Sequence, residues 1–145
     1  MTDTPAIQKI EEDIVEEFTL FDNWEDKYEY IIDMGKKLPK LEDAHKKEEN
    51  KIRGCQSTVW MVSEYSDGKI YYKADSDAMI VKGLISMLIR VFSGQKPGDI
   101  VAADMKFIDE IGMSTHLAQT RSNGLRSMIK QMKLDAMVWA SKENN

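Results

Sequence analysis

A chain of 145 residues, 42% hydrophobic and 31% charged, is long enough for one buried core and has the composition of an ordinary globular protein. Its net charge of −5 disfavours nucleic-acid binding, because no dense basic patch is at hand to neutralise phosphates. One cysteine excludes an intrachain disulfide, and with only His45 and His116 beside it no four-ligand zinc or iron–sulfur site closes without carboxylates, so no metal or cofactor is expected on this chain.

The expected location is the reducing cytoplasm: no charged-then-apolar leader is recognised, and no apolar run reaches the ~18 residues of a membrane span. No repeat, linker or low-complexity segment interrupts the chain, which is read as one domain, residues 1–145.

The first helix is predicted over Thr4 to Leu20. Thr4 is its cap and Pro5 suits the first turn; Ile7, Ile10, Ile14 and Phe18 form one apolar stripe. The opposite face, Glu12, Asp13, Glu16 and Glu17, reads as solvated, with docking of a basic partner as the alternative. Asn23 is placed to cap a second helix from Trp24 to Leu38, ended by Pro39. Lys40 to Asn50 is polar and reads as an exposed connection with room for some helix; His45 in it reads as a surface residue.

Two strands, Thr58 to Tyr65 and Lys69 to Ala74, flank Ser66-Asp67-Gly68, a strong hairpin signal. Ser76 and Asp77 are candidate caps for a third helix, Ala78 to about Ser93, apolar on nearly every side and hence the expected central core helix. Gly83 within it invites close approach of another backbone, the sheet or the cysteine loop. A helical turn from Pro97-Gly98 and a short helix around Phe107, Ile108 and Ile111 follow. Met113 to Gln119 reads as a loop. Ser122 is placed to cap a last helix running to about Ala140, with Leu125, Met128, Ile129, Met132 and Ala136 inward, and Lys142 to Asn145 fraying.

Cys55 lies between the polar connection and the first strand, in Lys51-Ile52-Arg53-Gly54-Cys55-Gln56-Ser57-Thr58. A lone cysteine is often just a small buried hydrophobe. Here Lys51 and Arg53 favour a thiolate, and Gly54, Gln56 and Ser57 are poor core neighbours, so a presented, reactive thiol stands beside the buried one. The strand should hold one end of this loop and Gly54 leave the other mobile. His116 is the candidate partner for a Cys-His pair. Arg121 reads either as a surface cation bonded to a carboxylate or as support for the thiolate loop.

Gly54-Cys55-Gln56-Ser57 with Val59-Trp60 resembles the active loop of the SufE-like sulfur-acceptor family. The likeness extends, in order, to Asn23-Trp24-Glu25-Asp26-Lys27-Tyr28, to Ser76-Asp77-Ala78 with Ile80-Val81-Lys82-Gly83-Leu84-Ile85, and to His116-Leu117 with Thr120-Arg121-Ser122 and Gly124-Leu125. Gln119 stands where that family usually has a proline.

The resemblance implies an α+β fold of SufE/IscU type: a small antiparallel sheet of two or three strands with about five or six helices. It implies that Cys55 accepts persulfide sulfur from a cysteine desulfurase, stimulates that enzyme, and passes sulfur to an iron–sulfur cluster scaffold protein. The pyridoxal phosphate would sit on the desulfurase, and no independent turnover is expected. Supporting or partner-binding roles fall to Gly54, Gln56, Ser57, Asp77, Lys82 and Arg121. A monomer or weak dimer, binding neither nucleic acid nor membrane, is expected. The alternative is a docking regulator with Cys55 structural. A persulfide needs shelter, so Cys55 is expected to tuck in when the protein is alone, against Trp60, Met79 and Gly83, and to swing out on docking.

Overall fold

The computed structural model describes residues 6–143, so the expected cap at Thr4-Pro5 lies outside the described residues. Helix α1, Ala6–Phe18, buries Ile7, Ile14 and Phe18 on one face, as their spacing implies. Helix α2, Trp24–Lys36, is capped as expected: Asn23 Oδ1 accepts the Asp26 N–H at 2.8 Å. It stops short of Leu38-Pro39.

Helix α3, Met79–Phe92, is the centre of the molecule. Nine of its 14 residues are buried, Leu84, Ile85, Met87 and Leu88 completely. Gly83 does permit a close approach, but to α2 and not to the sheet or the cysteine loop. A Cβ on Gly83 would lie 2.1 Å from the Ile31 carbonyl oxygen, and one on Gly35 would lie 2.7 Å from the Gly83 nitrogen. Two glycines facing each other let these backbones touch.

The sheet has two antiparallel strands, β1 (Val59–Ser66) and β2 (Lys69–Ser76), in a register that runs from Val59↔Ser76 to Ser66↔Lys69. Asp67 and Gly68 turn the hairpin with φ of 51° and 78°, the left-handed pair that suits a two-residue loop. Alternation sends Val59, Met61, Ile70, Tyr72 and Ala74 inward, into one core with α3 and the last helix. The Tyr72 hydroxyl donates to the Met132 carbonyl at 2.7 Å, which satisfies its buried polar end. This is the α+β arrangement that a hairpin among helical periodicities implies.

After α3 come α4 (Pro97–Ala102), α5 (Phe107–Glu110), α6 (Met113–His116) and α7 (Gln119–Glu143). Two expectations are corrected. The segment read as a loop from Met113 begins with the helical turn α6, launched by Gly112 at φ 84°. Ser122 does not cap α7 but lies inside it, its N–H and that of Arg121 both donating to the Ala118 carbonyl at 3.0 and 2.9 Å. The helix therefore begins earlier, and Ala118 takes the place a cap would hold. It also runs on past Ala140: Lys142 is helical, its ammonium 4.5 Å from the centre of the Trp139 ring.

Helix α1 is fastened to α2 and α3 through Glu17, whose carboxylate accepts two hydrogen bonds from Arg90, at 2.7 and 2.5 Å, and one from the Tyr30 hydroxyl. The Arg90 hydrogen bonds hold the Glu17 carboxyl below its ordinary 4.5 against the opposing pull of burial. Because the folded value is the lower one, this pair stabilises the fold above that range and ceases to as pH falls through the folded value. We expect Glu17→Gln to cost about 0.5–1 kcal/mol near neutral pH, since the pair is only partly buried. Denaturant titration should show the difference from wild type shrinking in acid; a difference that persists there would show packing, not charge, to be responsible.

Candidate functional site

The cysteine loop is closed at its stem. The Ile52 N–H donates to the Val59 carbonyl at 2.8 Å, and Lys51 bridges to Trp60. Both ends are thus held, not one, because the chain before the loop returns beside β1. Within the loop Gly54 has a φ of 90°, and a Cβ there would meet Ser127 Oγ at 2.4 Å. Gly54 therefore serves a left-handed turn pressed against α7.

Cys55 sits half-buried at the rim of a cavity of about 250 Å³. Loop residues Gln56 and Ser57, α3 residues Val81 and Leu84, and Ala118, Arg121, Gly124 and Met128 complete its lining. The thiol donates to the Gly124 carbonyl, Sγ to oxygen 3.6 Å. A Cβ on Gly124 would lie 3.6 Å from the sulfur, an ordinary contact distance, so α7 passes close to the thiol without this position requiring a glycine. Burial pushes the Cys55 thiol up from its ordinary value, and Arg53 does not offset it. At rest the sulfur is a protonated, partly sheltered thiol.

Four of the expected site residues, Cys55, Gln56, Ser57 and Arg121, meet around this cavity, and Gly54 shapes the loop that presents them. Arg121 also lays its guanidinium over the Tyr28 ring, 5.6 Å from its centre, and among the described residues it forms no salt bridge. Asp77 does not cap α3. Its carboxylate accepts the Thr58 N–H at 3.0 Å and its own N–H donates to the Thr58 carbonyl at 3.3 Å. Thr58 precedes the ladder, so its backbone needs a partner outside the strands, and Asp77 supplies one. Ser76 joins in, its hydroxyl donating to Thr58 O at 2.8 Å.

Lys82 does not reach the cavity; its ammonium lies 3.5 Å from Asp75. His116 does not partner the thiol either. Its ring stacks on Trp24 at 4.4 Å between centres, because α6 places it beside α2. The shelter also differs from expectation. Met79 is 60% exposed, Trp60 lies on the outer face of the sheet under Lys46, and Gly83 meets α2. Val81, Leu84, Gly124 and Met128 shelter the sulfur instead, since the loop folds toward α3 and α7. In the sequence Val81, Leu84 and Met128 show only the apolar helical spacing of any core residue, which does not say that they face the loop.

The family model described as "SufE: Fe-S metabolism associated domain" matches residues 12–136. An uncharacterized SufE-like protein of Rhizobium meliloti (strain 1021) is 38% identical over 128 residues, 85% of this chain and 91% of that protein. Another, from Rhizobium etli, is 39% identical over 133 residues, 88% of this chain and 90% of that one. In fold alone, the solution structure of a hypothetical protein from Thermus thermophilus superposes with a TM-score of 0.76 at 16% identity, over 91% of this chain and 96% of that one. The loop motif, the order of the matching segments and these relatives together establish that the chain belongs to the SufE family, and with it to iron–sulfur metabolism.

Proposed function

We propose that this protein is a sulfur acceptor whose Cys55 takes the outer sulfur of a persulfide held on a cysteine desulfurase and later gives it to a cluster scaffold. The observation that carries this reading is the placement of the chain's sole thiol on a left-handed glycine turn at a cavity that joins apolar Val81, Leu84 and Met128 to polar Gln56, Ser57 and Arg121. The step is a thiol exchange without net oxidation. Cys55 sulfur attacks the outer sulfur of the donor persulfide, a new S–S bond forms, the donor's S–S bond breaks, and the Cys55 proton is balanced on the departing donor thiol. The desulfurase supplies the C–S cleavage through its own pyridoxal phosphate. Removing its persulfide frees it for another turnover, so the acceptor acts as an activator. The proposed setting is the cytoplasm, and no described helix is long and apolar enough to cross a membrane.

A docking regulator with a structural Cys55 makes the opposite forecast for one variant. Cys55→Ser should bind the desulfurase in both readings, and lose stimulation only if sulfur acceptance is the function.

The half-buried, protonated thiol supports a sheltered resting state. With the stem closed, movement is confined to residues 53–57, and docking would turn Cys55 out from Gly124 toward the partner. We expect free Cys55 to alkylate roughly tenfold more slowly than an unfolded-peptide thiol, as buried thiols of raised pKa do. A catalytically dead desulfurase should speed the reaction. A free-protein rate equal to that of the peptide would end the sheltered-state idea.

A further inference from the structure

Among the described residues one charged side chain is buried: Asp75, 5% exposed. The sulfur-transfer step above does not use it. It sits on the outward side of β2, opposite Trp60, where alternation would leave it in water. It is covered because charged groups from two other segments close over it. Lys46, which follows the 3-10 turn Asp43–His45, places its ammonium 3.3 Å from the carboxylate and 5.5 Å from the centre of the Trp60 ring. Lys82 of α3 lies 3.5 Å from the other oxygen, and the Ser76 N–H donates to Asp75 at 2.8 Å. Both lysines are themselves mostly buried, with side chains 25% and 28% exposed.

We infer that Asp75 is a positioning residue for Cys55: its carboxylate ties the segment that leads into the cysteine loop, through Lys46, to the cavity-wall helix α3, through Lys82. The next two residues of β2 and its exit, Ser76 and Asp77, hold Thr58 at the other side of the stem. Residues 75–77 thereby grip both flanks of the loop, while Val81 and Leu84, on either side of Lys82 along the chain, form the wall behind the sulfur. Removing the shared carboxylate from such a cluster takes the nearer counter-charge from Lys46 and the counter-charge of Lys82 away together. Without the carboxylate, Lys46 keeps only its longer pairing with Asp43, at 3.9 Å, the tie between Lys46 and Lys82 is lost, and the segment entering the loop separates from α3.

The inference takes its purpose from the sulfur-acceptor reading, but its test does not depend on it, since alkylation of the free chain involves no desulfurase. Iodoacetamide labelling of Cys55 is followed by intact mass in the full-length protein, with melting temperature recorded alongside. Asp75→Asn should label about tenfold faster than wild type, the opening expected from loss of the shared counter-charge. Lys46→Met with Lys82→Met should label faster to a similar degree, and that pair stands in for Asp75→Asn if the latter does not fold. Combining all three changes should label no faster than either set alone, because one tie is being cut. Glu17→Gln, which loosens α1 far from the loop in sequence, should leave the labelling rate unchanged. Wild-type labelling in a folded Asp75→Asn, additive effects of the two sets, or equal acceleration by Glu17→Gln would each overturn the inference.

Discussion

Incubated with a cysteine desulfurase and cysteine, the wild-type protein should gain one sulfur, a mass increase of about 32 Da that reductant removes, as a reversible persulfide cap does. Cys55→Ser should gain none. The effect is all-or-none because the chain has no second thiol to take over. Desulfurase turnover should follow the same division: stimulated by wild type and, with Cys55→Ser, returned to the rate of the desulfurase alone. Geometry makes the forecast more specific. An accepted sulfur would extend the side chain from Sγ, now 3.6 Å from the Gly124 carbonyl, within a cavity whose lining includes Val81, Leu84 and Met128. The persulfide should thus survive longer on the folded protein than on a peptide carrying the same loop. Sulfur found on the Cys55→Ser protein would remove Cys55 from the chemistry altogether.

The second large effect concerns stability. Gly83→Ala should lower the melting temperature by roughly 5–10 °C, the equivalent of about 2–3 kcal/mol of overpacking in a domain of this size. In an exposed helix the same change would help, by up to ~1 kcal/mol, because glycine is a poor helix former. Here sterics decide the sign. The new methyl would stand 2.1 Å from the Ile31 carbonyl oxygen and 2.7 Å from Ile31 Cγ2, distances that only displacement of α2 relieves. Gly98 provides the contrast: nothing lies within 4 Å of a Cβ there, so Gly98→Ala should be neutral or slightly stabilising. A Gly83→Ala protein that melts at or above the wild-type temperature would mean that α2 and α3 are not locked as described. Because α3 also carries Val81 and Leu84, the same variant should speed Cys55 alkylation, which couples the core crossing to the site.

Local chemistry made several elements readable in the chain alone. Asn23 offers a carboxamide where the first free N–H groups of α2 need one, and Asp67-Gly68 accepts the positive φ of a tight hairpin; both act over a few residues and need no tertiary partner. The all-round apolar character of α3 likewise announced a buried helix, since no other environment suits it. Gly54-Cys55-Gln56-Ser57 marked the loop, and its matching neighbours marked the family.

Tertiary structure alone decided where those pieces point. Ser122 has cap chemistry, yet the Ala118 carbonyl starts α7 ahead of it. Asp77 has it too, but the Thr58 N–H across the stem claims the carboxylate. His116 and Lys82 look available in the sequence; the fold gives the first to Trp24 and the second to Asp75. Asp75 itself carries no sequence signal, because burial on the outward side of a strand depends on lysines that arrive from residues 46 and 82. Spacing records what a residue prefers within one turn or one strand. Which distant group meets that preference is fixed only when backbones from separate elements pack at contact distance, as Gly35 and Gly83 allow α2 and α3 to do.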